Sequence, residues 1–484
     1  MEHQAKKMSN FRWSIVTLLF FATAINYLDR QVLSLTWKDF IAPEFHWTNT
    51  HYGTITSLFS LFYAIGMLFA GRFIDKLDTK KGFLWAIGIW SLGAVLHAFC
   101  GIATSGIVAG KWLVGFEGAK EAIATVNNVS MVLNVSVTLF IFARLVLAIG
   151  ESGNFPASIK AVAEYFPKKD RAFATSIFNA GSTVGALAAP VVIPVIAEKW
   201  GWEMSFIIIG ALGFIWMGFW AFIYKKPEVH PKVNKLELEY IHLDHADEAA
   251  VNPNANTDKE KKLSFKQCFK FKQTWAFAFG KFMTDGVWWF YLFWTPAYLS
   301  SVYGLKSSDP RSQLAIFVLY AITLLSIIGG WLPTYFVDKK GMHPYAGRMK
   351  AMLIFAFFPL LALFAQPLGH ISYWLPIIII GIAGAAHQSW SANIFSTVSD
   401  MFPKSAVATV TGIGGMAGGI GSMLINKASG ALFDFAGQTQ MSFLIFKGEE
   451  AGYFIVFSFC AVAYLIGWIV MKALVPKYSP ITDL

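Results

Sequence analysis

The amino-acid sequence predicts an all-α integral membrane protein with twelve transmembrane helices in two pseudo-symmetric six-helix bundles. Three observations carry that prediction. The 484 residues are 56% hydrophobic and only 14% charged, where a soluble globular chain carries roughly a quarter charged residues. Twelve predominantly apolar stretches recur along the chain, each long enough to cross a hydrocarbon core, which takes about 20 helical residues. Two landmark segments also occur twice, in the same order, once in each half.

The first stretch, 11–35, follows Lys6, Lys7 and Arg12. It is longer than a signal-peptide core, and no small-residue cleavage site precedes the next polar segment. It is therefore expected to be retained as the first span. Five more fall at 52–74, 82–104, 137–161, 172–196 and 203–224, and six at 275–301, 313–337, 349–367, 372–399, 406–433 and 451–474. Between the two sets, 225–272 is polar and charged and reads as a cytoplasmic linker, dividing a first bundle (1–224) from a second (273–484). Basic residues gather in alternate loops: Lys76, Lys80 and Lys81; Lys168, Lys169 and Arg171; Lys225 and Lys226; Lys339 and Lys340. That asymmetry places both termini in the cytoplasm and demands an even number of spans. The formal charge of +10 is distributed among these loops, so it argues for membrane orientation and against a nucleic-acid partner. Cys100, Cys268 and Cys460 are too few and too far apart for a disulfide or metal framework.

The repeated landmarks imply a duplicated unit. Gly71-Arg-Phe-Ile-Asp75 with Lys80-Lys81-Gly82 is answered by Gly330 to Asp338 with Lys339-Lys340-Gly341. Glu164-Tyr-Phe-Pro-Lys168 is answered by Asp400-Met-Phe-Pro-Lys404. Asp75 and Glu164 are 89 positions apart and Asp338 and Asp400 are 62 apart, so the first half holds about 27 extra residues. They are assigned to 105–136, an external insertion with a partly interfacial helix.

Charges inside apolar runs are the candidates for chemistry, because an unpaired charge at the bilayer centre costs roughly 3 kcal/mol or more and normally faces a cavity or a partner. Asp29 and Arg30 lie deep in the first span. Arg144 and Glu151 lie in the fourth, seven residues apart and so on one helix face. These four serve either a polar site or ion pairs that fix helix packing. Tyr63 offers a hydroxyl to a sugar or to a neighbouring helix. His387, Gln388, Ser391 and Asn393 give the tenth span a polar face. Such a face suits either hydroxyl recognition or interhelical bonding, with His387 alternatively a proton relay. Asp285, followed by Trp288 and Trp289, is one more acid in a span, a gate or a sugar contact. Gly181 and Gly185, and Gly414 and Gly418, are four apart and read as close-packing surfaces. The glycine run at 412–421 lacks the Gly-Lys-Ser/Thr ending of a phosphate-binding loop. No zinc spacing or catalytic triad signature accompanies it, so neither an enzyme nor a cofactor is expected.

The two halves, the long linker and the Gly71…Asp75…Lys80-Lys81-Gly82 loop resemble the major facilitator superfamily. Narrower motifs resemble its anion:cation symporters, the bacterial hexuronate transporters in particular. These are Asn26-Tyr-Leu-Asp-Arg30, Arg144…Gly150-Glu151…Asn154-Phe-Pro156, Phe178-Asn-Ala-Gly-Ser182, Lys281-Phe-Met-Thr-Asp285 with Trp288-Trp-Phe-Tyr291, Ala386-His-Gln-Ser-Trp-Ser391 and Gly412-Ile-Gly-Gly-Met-Ala-Gly418. The resemblance implies that Arg30 binds a substrate carboxylate and that Arg144 grips it from the opposite wall. It implies Asp29 and Glu151 as protonation sites, with Tyr63, Ser182 and the polar residues of the tenth span on the sugar. It further implies that Asp75 biases the outward-facing state; Asp338, its counterpart in the repeat, and Asp285 in the seventh span are further conformational candidates.

Two arginines and two carboxylates sum to zero. A monocarboxylate makes the site negative, and one proton restores neutrality. The expectation is a monomeric, proton-coupled importer of a sugar acid in the bacterial inner membrane, working by alternating access and using no cofactor. The alternatives are an organic-anion exchanger or exporter of the same fold, and a membrane sensor that has lost transport.

Overall fold

In the computed structural model, which describes residues 8–243 and 265–481, twelve helical rods carry the architecture. In the first bundle they are α1 (Arg12–Thr36), α2 (Asn49–Leu77), α3 (Thr79–Ala98), α4 (Val129–Tyr165), α5 (Lys168–Trp200) and α6 (Trp202–Ile223). In the second they are α7 (Lys272–Tyr303), α8 (Pro310–Lys340), α9 (Pro344–Gly369), α10 (Trp374–Met401), α11 (Lys404–Thr439) and α12 (Glu449–Leu474).

Nine of the rods are apolar and long enough to cross a membrane by hydropathy alone. The other three, α1, α7 and α11, have 25, 32 and 36 residues and reach about 38, 48 and 54 Å at 1.5 Å per residue. Length is not what separates them. The first two carry Asp29 and Arg30, and Lys281 and Asp285, while α11 is rich in glycine. A polar rod survives in lipid by facing other protein, and these three pack against one another or across the gap between the bundles.

Glycine sets the closest approaches. A Cβ at Gly181 or Gly185 of α5 would lie 2.2 Å from the Phe20 carbonyl oxygen or 2.3 Å from that of Ala24, both on α1. In the second bundle α11 meets α7 in the same way, a Cβ at Gly421 falling 2.0 Å from the Phe282 carbonyl oxygen. The α1–α5 contact is thus repeated as α7–α11, six rods on, as the duplicated landmarks lead one to expect.

The described residues next to both chain ends and the described part of the linker lie on one face. Glu237, in the linker helix Lys235–Ile241, accepts hydrogen bonds from Ser9 Oγ, the backbone of Phe11 and Arg12, and the Arg12 guanidinium. At the other end, Ile481 donates its amide to the Met401 carbonyl. On the distal face the extra residues of the first half form helices Cys100–Ala109 and Phe116–Ala124, which pack together. α4 begins at Val129, earlier than the expected 137, because Asn128 caps it by accepting from the Met131 amide at 3.1 Å. Asn134 therefore lies inside a helix.

The rod α4 is interrupted at Ser152 and Gly153, between helices Val129–Glu151 and Asn154–Tyr165. Pro156 has no N–H to return to the Ser152 carbonyl, so the ladder opens directly after Glu151.

Hydrogen bonds between the bundles gather toward the distal face. The Asp434 carboxylate, on α11, accepts from the Asn49 amide and Nδ2 at 3.0 Å each and from the Thr50 amide at 2.7 Å. One bundle thereby caps the unpaired N–H groups at the start of the other bundle's α2. In the reverse sense Asp39, in the π-helical turn Trp37–Ile41, accepts from Ser300 Oγ at 2.6 Å and the Ser307 amide at 2.7 Å. Below them Ser60 and Ser422 hydroxyls meet at 2.9 Å. Asp434→Asn weakens this latch. A cysteine placed at Ser422, buried beneath it, is expected to react with a membrane-impermeant thiol reagent from the distal side about tenfold faster, the change that ~1.4 kcal/mol produces. An unchanged labelling rate would show that Asp434 does not hold the distal face shut.

Candidate functional site

The deepest charges of the first bundle come together. Arg30, on α1, donates from Nε at 3.0 Å and from Nη2 at 2.8 Å to the same oxygen of Glu151, Oε2. Its Nη2 also reaches Asn26 Oδ1 at 3.4 Å. The other Glu151 oxygen is buried with no partner among the described residues. Asp29 lies within electrostatic range of Glu151, Arg144 and Arg30, and neither of its carboxylate oxygens has a hydrogen-bond partner among the described residues. Arg144 is 2% exposed. Its Nε and Nη1 likewise have no protein acceptor, and its guanidinium rests 5.1 Å from the Phe59 ring. Buried polar groups in folded proteins are nearly always satisfied, so this cluster of unpaired donors and acceptors is the candidate site.

Aromatic rings frame the charges. The Arg30 guanidinium lies 4.8 Å from the Tyr63 ring of α2 and 4.8 Å from the Trp289 ring of α7. Tyr27 stands 5.1 Å away. Tyr63 and Trp289 approach each other at 5.7 Å, so one ring from each bundle closes over a single cation. Phe59 continues the aromatic cluster, tilted against Trp289 at 6.0 Å and edge-on to Phe293 at 6.1 Å. Such contacts contribute roughly 0.5–2 kcal/mol each, more where water is excluded.

Asp29, Arg30, Tyr63, Arg144 and Glu151 are therefore brought together. Arg30 stands on α1 and Arg144 on α4. All four charges belong to the first bundle, and the second bundle presents Trp289 to them.

On α10 the polar residues divide. Gln388 and Ser391 are half-buried, and no hydrogen bond engages their side chains among the described residues. His387 and Asn393 are buried and occupied, against the expectation that they read hydroxyls. His387 Nδ1 meets the Tyr464 hydroxyl at 2.8 Å and its ring stacks on Trp288 at 5.4 Å. Asn393 Nδ2 donates to the Gly329 and Ser389 carbonyls at 2.9 and 2.8 Å. Both tie helices within the second bundle, the interhelical alternative. Ser182 donates its hydroxyl to Asn179 of its own helix at 2.7 Å and reads nothing else.

The conformational candidates differ among themselves. Asp338 is exposed at the linker-face end of α8. The side chain of Asp75 lies outside the described residues. Asp285 forms an ion pair with Lys281 on its own helix at 2.7 Å. The partners that sequence reasoning left without a role are Asn26, Phe59, Trp289 and Lys281. The visible signal was a Trp pair one turn after an acid. Among the described residues no cluster of three or more His, Cys, Asp or Glu is placed to hold a metal ion.

Twelve membrane-length rods around a buried, partly unsatisfied charge cluster are the build of a multi-pass membrane protein, and the family to which the chain belongs makes it a transporter, not an enzyme. The sequence profile of the Major Facilitator Superfamily matches residues 19–426, and the chain belongs to that superfamily. It is 28% identical over 436 residues to a hexuronate transporter of Escherichia coli strain K12, covering 89% of this chain and 90% of that one. Over 330 residues it is 27% identical to a galacturonate transporter of Dickeya chrysanthemi, covering 68% and 84%. A probable galactarate/D-glucarate transporter of Escherichia coli strain K12 is 24% identical over 437 residues, with 89% and 90% covered. In fold, the chain resembles a bacterial homologue of the human lysosomal transporter Spinster in an inward-facing, unoccupied conformation, at TM-score 0.66 and 18% identity, with 98% and 99% covered. It also resembles a D-xylose–proton symporter, at TM-score 0.64 and 16% identity, with 97% and 98% covered.

Proposed function

We propose that the chain is a proton-coupled symporter of a sugar acid, a hexuronate or related aldonate, which it carries by alternating access. The supporting observation is Arg144, buried with two donors facing no protein acceptor beside the Arg30–Glu151 pair. A guanidinium is a planar donor fork suited to a carboxylate. Arg144 offers the substrate its first hold, and Arg30 joins once Glu151 takes a proton and lets go. Asp29 is the second group that can accept a proton in the same charge cluster. Tyr63, Gln388 and Ser391 supply the directed donors and acceptors that sugar hydroxyls require. The latched distal face fits an inward-facing conformation, with both termini, residues 225–272 and the two landmark loops in the cytoplasm of a bacterial cell. Residues 1–224 and 273–484 are the two rocking units, each monomer holding one site, and Asp75 and Asp338 bias which face is open.

Reconstituted vesicles with equal potassium on both sides and valinomycin present test the coupling. Labelled glucuronate or galacturonate is expected to accumulate above the outside concentration only when the outside is more acidic. Accumulation indifferent to that gradient would overturn symport and leave an exchanger. Failure of every sugar acid to move, even in counterflow, would overturn the substrate class.

A further inference from the structure

The second bundle has a charge pair of its own at membrane depth. On α7, Phe282, Asp285, Trp288 and Trp289 are half-buried where their neighbours are buried, which marks one face as open. Trp289 on that face stacks over Arg30. Asp285 precedes it by four residues, one turn and about 6 Å toward the linker face, a step comparable to the length of a six-carbon acid. The carboxylate is fixed from two sides. Lys281 Nζ holds Oδ2 at 2.7 Å while itself lying 4.2 Å over the Phe395 ring. The backbone of α11 presses so close that a Cβ at Gly418 would sit 2.2 Å from the same oxygen. Asp285 nevertheless keeps 15% of its side chain exposed against 5% for Lys281. On α10, Gln388 and Ser391 stand beside this level with unused polar groups, and His387 is already bound to Tyr464. The site therefore has cations at one end and a fixed carboxylate acceptor at the other.

We propose that Asp285, held by Lys281, reads the end of the substrate that points away from the arginines, accepting a hydroxyl there and refusing a second carboxylate. The chain thereby selects sugar monoacids over the corresponding diacids. This rests on the sugar-acid reading above and specifies its substrate class. A hydroxyl donates to a carboxylate in a charge-assisted bond. A carboxylate in the same place meets a like charge that the protein cannot move, because Lys281 and the α11 backbone fix it.

Galacturonate and galactarate are a suitable test pair, since oxidation of the anomeric carbon of the first to a second carboxylate gives the second. In purified, reconstituted protein the wild type is expected to bind galacturonate at least about tenfold more tightly than galactarate, the discrimination of one charged hydrogen bond. In Asp285→Asn, galacturonate binding weakens several-fold and galactarate binding strengthens, so the ratio collapses from both sides. Lys281→Gln/Asp285→Asn, which removes the pair without stranding a buried charge, is expected to do the same. A merely structural role for the pair would lower both affinities together, and that result would overturn the proposal. Equal binding of the two acids by the wild type overturns it as well while leaving sugar-acid transport intact. Binding of neither overturns both readings.

Discussion

Glu151→Gln is expected to abolish proton-driven accumulation while preserving exchange of labelled for unlabelled substrate. In the empty site both Arg30 donors converge on one Glu151 oxygen, and the second oxygen stands ready for a proton, buried with no protein partner. Protonation weakens the ion pair and frees Arg30. Glutamine is neutral at every pH and so imitates the protonated state permanently. The variant binds substrate at neutral pH about tenfold more tightly than the wild type, the scale of one charge-assisted hydrogen bond no longer competing for Arg30. It can no longer return its proton, so at zero membrane potential its accumulation ratio stays at unity whatever the pH gradient. Vesicle uptake and counterflow measure the two halves of the prediction separately. Wild-type accumulation by Glu151→Gln would remove this residue from the coupling step.

The second large effect separates the two arginines. Arg30 is bonded, and removing it strands Glu151 in a buried site. Arg30→Gln is therefore expected to cost about 3–5 kcal/mol of stability, the usual consequence of breaking one side of a buried pair. Arg144 faces no protein acceptor with two of its donors. Arg144→Gln is expected to leave the melting temperature of the empty protein unchanged or raised, because the donors it removes were unsatisfied. It weakens substrate binding by about 100-fold, equivalent to ~2.7 kcal/mol. Thermal unfolding of each variant, with and without sugar acid, shows the contrast. Equal loss of stability in both variants would mean that Arg144 is a structural residue.

The rods were legible in the sequence because lipid permits few solutions. Long apolar runs, loop lysines and two repeated landmarks bring most helix ends close to where they are found. The misjudged region was the distal insertion. Asn128, Ser130 and Asn134 depress the hydropathy there, yet α4 starts at Val129 because Asn128 is its cap. In the site, Asp29, Arg30, Arg144 and Glu151 stood out as charges in apolar surroundings, a signal contained in each short window. The polar residues of α10 could not be sorted in that way. His387, Gln388, Ser391 and Asn393 are chemically alike at the level of a window. What divides them is Tyr464 on one neighbouring helix and the Gly329 carbonyl on another, dozens of positions away in the chain. Trp289 was invisible as a partner of Arg30 for the same reason, since that contact crosses between the bundles.

All four charges at the centre sit in one bundle, and the other bundle meets them with an aromatic ring. Under the proposed coupling this has an electrical consequence. The empty carrier is neutral where it matters, and so is the carrier loaded with one monoacid and one proton. Neither the outward nor the return stroke then displaces net charge through the field of the membrane. The voltage across the bilayer would exert no force on the cycle, and the difference in pH alone would set the limit of accumulation.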